Sequence, residues 1–101
     1  MKTAESQQVI PSLRQALSSL VDTQFPMDTL ALHAFSDVSI QELAEFQLAW
    51  MEIGSARRVD IMQALRDLAN ESPILDFDQI ARTVILIDPS ARVRAAAVST
   101  V

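Results

Sequence analysis

Apolar residues recur at helical spacing along most of this chain, and the breaks between the runs are only a few residues long. That combination constrains the fold more than any other feature, because stripes of period 3.6 with short joints force helices to lie against their neighbours. Leu13, Ala16, Leu17, Leu20 and Val21 share a face, and Pro11 suits a first turn, which predicts a helix over 12–21 with a short lead-in before it. Q-F-P-M-D at 24–28 breaks it, and 29–35 reads as a short helix with Leu30, Leu32 and Ala34 on one side. Ser39 with Glu42 is a capping box opening a helix over 40–53, whose stripe is Leu43, Phe46, Trp50 and Ile53, with Gln47 as its polar border. Gly54 is expected to end that helix in a left-handed conformation. From Ser55, residues Val59, Met62, Leu65, Leu68 and Ala69 form the next stripe, widened by Ile61 and Ala64, until Pro73. Asp76 is expected to cap the following helix, and Asp88 the last, with Pro89 in its first turn.

Thr83–Ile87 is β-branched and could make a buried strand, but no other run offers it a partner strand. It is therefore read as helix, apolar on most sides and suited to an inner position. A single glycine and no tyrosine agree with helices rather than a turn-rich sheet. The expected class is all-α, with about six helices in antiparallel or steeply crossing succession.

The same residues exclude much chemistry. There is no cysteine, which removes disulfides, thiol catalysis and cysteine-ligated metals. Met1–Gln8 has no apolar leader, and Val84–Ile87 is far too short to span a bilayer, so a cytoplasmic protein is expected. Residues 1–55 carry two basic residues against seven acids, whereas 56–101 carry six arginines against six acids. An acidic front half repels phosphate backbones, so no nucleic-acid partner is expected. His33 is the lone histidine and lacks companions for a metal. Glu42 with Glu45, and Asp76 with Asp78, sit where capping and helix-dipole roles account for them. No serine has a base at a recognisable spacing, and one glycine cannot build a phosphate loop. Trp50 and Phe46 read as core. Arg57-Arg58, the only doubled basic pair, opens a helix and calls for a carboxylate such as Glu52 or Asp60, or for a contact with a partner. No catalytic residue, metal or cofactor is expected.

The stretch I-A-R-T-V-I-L-I-D-P-S-A-R-V-R-A-A-A-V resembles a HEAT repeat. Ile80, Val84 and Ile87 stand for the apolar first helix, Asp88-Pro89 for the turn, and Val93-Arg94 with Ala97 for the second helix. The resemblance implies that Val93 points into the core, that Ala97 lets paired helices approach closely, and that Arg94 pairs with the aspartate of its own or a neighbouring repeat. The segments from Phe35 to Ile53 and from Ala56 to Glu71, followed by L-D-F, look like the amino-terminal region of bacterial HEAT-repeat proteins. On this reading, residues 1–75 are divergent repeats or a cap. Residues 76–101 are a HEAT-like repeat that starts a longer array, an armadillo-like α-α superhelix.

The function implied is a non-catalytic scaffold that binds another protein. Further repeats or a second chain are expected to cover Val93, Val98 and Val101. Two alternatives stay open: a HEAT-like enzyme or accessory, similar to bilin lyases or DNA-repair glycosylases, and a small self-associating bundle.

Overall fold

The computed structural model describes residues 11–22, 27 and 29–101. The lead-in expected before Pro11 and most of the 24–28 break lie outside them. The described residues form six α-helices and no strand: α1 (Leu13–Val21), α2 (Thr29–Leu32), α3 (Ile40–Trp50), α4 (Ser55–Glu71), α5 (Asp78–Ile87) and α6 (Ala91–Thr100). A 3-10 turn, His33–Phe35, continues α2. Thr83–Ile87 is helical, as expected.

Local chemistry sets the ends. Ser12 caps α1 and forms a capping box with Gln15, so Pro11 stands one residue outside the helix rather than in its first turn. Ser39 and Glu42 make the predicted box on α3. At α6 the cap is Ser90, whose hydroxyl accepts from the Val93 amide; Pro89 again precedes the cap, and Asp88 ends α5 instead of starting α6. Asp76 does serve α5, its Oδ1 accepting from the Asp78 amide at 3.0 Å, although the backbone turns into helix at Phe77. Gly54 corrects the expectation of a left-handed stop. Its φ of −61° and ψ of 150° are extended, and it is the N-cap of α4, while α3 ends earlier at Trp50. Only Asp37 has a positive φ among the described non-glycine residues.

The helices pack in two rows. In one, α1 lies on α3 and α3 on α5; in the other, α2 lies on α4 and α4 on α6. Within layers, α1 touches α2 and α5 touches α6. Direction follows from the tethers. The turns entering α3 and α5 are joined, because the Asp37 amide donates to the Asp76 carbonyl and the Asp76 amide to Ser36 Oγ, both at 2.9 Å. Their far ends are joined too, through Trp50 and Asp88. The two helices are therefore parallel. So are α4 and α6, whose starts line one hollow at Ser55 and Ser90, and whose later turns are linked by Thr100 Oγ1 donating to the Met62 carbonyl.

The core runs between the rows. Leu13, Ala16, Leu17 and Leu20 enter from α1; Ala31, Leu32 and Phe35 from α2 and its 3-10 turn; Phe46 and Trp50 from α3, with Ile53 just beyond it. Ile61, Met62 and Leu65 enter from α4, Ile80, Ala81 and Val84 from α5, and Val93 and Ala97 from α6. Phe35 meets Phe46 edge-on at 5.9 Å, and Phe46 stacks on Trp50 at 4.9 Å. Val21, expected in the α1 stripe, is exposed. α5 is less enclosed than its composition implies: Leu86 is 83% exposed.

Candidate functional site

Among the described residues, polar side chains meet inside the protein at the corner between α5 and α6. Asp88 is 2% exposed and Arg58 6%. A charge so far from water needs full pairing, and this one has it. Asp88 Oδ2 accepts from Arg58 Nε at 2.9 Å and from Trp50 Nε1 at 2.8 Å. Oδ1 accepts from Arg58 Nη2 at 3.3 Å and from the Ser90 amide at 2.9 Å. The fork of the guanidinium thus meets the carboxylate on two sides, and its remaining nitrogen, Nη1, donates to the Ile53 carbonyl. The Asp88 carbonyl accepts from Arg94 Nη1 at 2.7 Å.

A carboxylate has about four acceptor positions, and all four are occupied here by fixed donors. No lone pair remains to take a proton from a substrate, and neither large surface groove is lined by Asp88. What this arrangement can do is hold five pieces together: the end of α3, the turn after it, α4, the α5–α6 corner and α6.

The expected site residues are partly brought together. Asp88, Val93 and Arg94 gather at this corner, and Pro89 is exposed beside it; Val93 is fully buried, as is Ala97 farther along α6. Arg94 does meet the aspartate, but through its backbone carbonyl; the carboxylate belongs to Arg58. Arg58, read with Arg57 as a contact for a partner, instead faces the core, and its acid is Asp88, neither Glu52 nor Asp60. Arg57 is half-buried and donates through Nε to the Leu20 carbonyl at 3.2 Å and through Nη2 to that of Asp22 at 3.5 Å, which places its charge on the orphan carbonyls ending α1. A signal for Arg58 was available. It stands four residues before Met62 and seven before Leu65, so a charge occupies the apolar stripe of α4 and requires a buried partner.

The other candidates have structural work. His33 Nδ1–H donates to the Thr29 carbonyl at 3.1 Å. Glu42 holds the Ser39 amide, and Glu45 pairs with Arg14 at 3.3 Å. Among the described residues no three histidines or carboxylates gather as a metal would need, and no helix is long and apolar enough to cross a membrane.

Comparison with protein-family models, with curated proteins and with solved structures finds no match. The surface supplies the remaining information. One groove of about 290 Å³ runs between α1 and α3, with Arg14 and Glu45 paired at its side and Leu48 and Glu52 along it. A second, of about 320 Å³, follows the seam of α4 and α6. Both are open, and their volumes are at the small end of the range for ligand pockets.

Proposed function

We propose that this chain is a helical-repeat scaffold of the HEAT type whose surface binds another protein. One observation carries the reading. Between the layer of α3 and α4 and that of α5 and α6, three tethers join matching positions of parallel helices at a nearly constant offset: 38 for Trp50–Asp88, 40 for Ser36–Asp76 and 38 for Met62–Thr100, whereas Arg14–Glu45, between α1 and α3, spans 31. A constant offset of that size is what stacking of a unit of about 40 residues produces, and HEAT and armadillo units have that length. The parallel running of α3 with α5 and of α4 with α6 supports the same reading, since each unit repeats the direction of the last. The closed Arg58–Asp88–Trp50 corner favours a fastening role over a catalytic one.

Affinity capture with the whole chain, followed by calorimetry against the purified captured protein, tests this. The expected result is a saturable complex of defined stoichiometry with no chemical change in either partner. Turnover of a bound molecule, or tight binding limited to a bilin or to DNA, would overturn it.

A further inference from the structure

The groove along the seam of α4 and α6 differs in charge from the one between α1 and α3, which Glu45 and Glu52 line. The α4–α6 groove is lined by two guanidinium groups, Arg66 and Arg92, and by no carboxylate, in a chain of net charge −5. Arg92 is exposed, and its side chain makes no hydrogen bond or ion pair among the described residues. Arg66 is held only by its sequence neighbour Asp67, at 3.4 Å in an open setting, a pairing that water and salt weaken to little. Its small apolar side chains are Val59, Ala95 and Ala96, beside Gln63 and Ser99. Small residues there let a backbone approach the helices closely.

The groove also has length. It shares Val59 and Arg92 with the hollow at Ser55, Ala56 and Ser90, so the depression continues along the seam toward the helix starts. From Ser55 to Arg66 α4 rises roughly 16 Å, the span of about five extended residues.

We infer that this seam docks a short acidic peptide segment of a partner protein, its carboxylates on Arg66 and Arg92 and an apolar side chain on Val59, Ala95 and Ala96. The inference rests on the scaffold reading and names the partner's chemistry. A nucleic acid fits less well. Its affinity comes from neutralising many phosphates, two arginines offer few contacts, and the acidic remainder of the chain repels a long polyanion. A short peptide meets only the local field.

The experiment measures anisotropy of a labelled nine-residue peptide alternating Glu and Leu, its Gln-for-Glu and Lys-for-Glu versions, and a single-stranded oligonucleotide of matched charge, against the whole chain. The acidic peptide is expected to bind and to weaken at least tenfold between 50 and 300 mM salt, with the neutral and basic versions at least tenfold weaker throughout. Arg92→Glu with Arg66→Glu should abolish binding, while Arg82→Glu, an exposed arginine outside the groove, should leave it unchanged. Circular dichroism and melting of each variant separate lost binding from lost fold. No binding of the acidic peptide, equal binding of the neutral one, tighter binding of the oligonucleotide, or insensitivity to the double reversal in a folded protein would each overturn the inference. A captured protein partner held equally by the wild-type chain and the double reversal would remove the groove and leave the scaffold standing.

Discussion

Trp50 donates its indole N–H to the buried carboxylate of Asp88 at 2.8 Å, across 38 residues of sequence. The bond closes a polar knot in which Arg58 fills the other face of the same carboxylate. Its consequences for stability are specific, because each member is buried and each has few substitutes.

Removing one charge should cost more than removing both. Asp88→Ala leaves the Arg58 guanidinium dry and unpaired, for an expected loss of about 3–5 kcal/mol in urea unfolding. Arg58→Met combined with Asp88→Leu should recover only part of that loss: the apolar pair does not need to be desolvated as ions, but the Trp50 N–H, the Ser90 amide and the Ile53 carbonyl lose their partners. If the double variant is no more stable than Asp88→Ala, the knot is doing something other than compensating buried charge.

Trp50 can be divided into its bond and its bulk. Trp50→Phe keeps an aromatic ring beside Phe46 and loses the N–H, an expected cost of about 1–3 kcal/mol. Trp50→Ala empties a fully buried site and should cost about 3–5 kcal/mol. Equal costs for the two would assign the whole contribution to the hydrogen bond.

Arg94 is half-buried and donates to a backbone carbonyl rather than to a carboxylate. Arg94→Ala is accordingly expected to cost only about 1–2 kcal/mol, below the penalty for Asp88→Ala. A thermal-melt ranking with Arg94→Ala as the more damaging variant would contradict the bond assignment at this corner.

Gly54 offers a gain. It occupies an N-cap with the extended backbone that Ser12 and Ser39 adopt at theirs, it has no side chain to accept an orphan amide, and nothing lies within 4 Å of where a Cβ would stand. Gly54→Ser should stabilise the chain by about 0.5–1 kcal/mol, from a new cap and from a less flexible unfolded chain. A shift of the denaturation midpoint to lower urea would mean that the hydroxyl finds no amide there.

The capping box of α3 gives the opposite case. Ser39→Ala loses the Glu42 amide's acceptor at 3.1 Å and should cost about 1 kcal/mol by urea titration, whereas Ser18→Ala, exposed on α1, should be nearly neutral.

What the sequence by itself determined has its cause within a few residues. Helical spacing placed the core residues Leu13, Phe46, Met62 and Leu65, the Ser39–Glu42 pair announced its helix, and the lack of partner strands led to Thr83–Ile87 being read as helix. The tertiary structure decided what depends on distant neighbours. Gly54 and Asp88 each lie at a joint that either flanking helix could claim, so their roles waited on how the layers met. Arg58 showed its anomaly in the stripe of α4, but its acid stands 30 residues away and nothing local selects Asp88 over Asp60 or Glu52. Whether a guanidinium faces water or a carboxylate is a matter of where a second helix lies, and spacing along one helix carries no record of that.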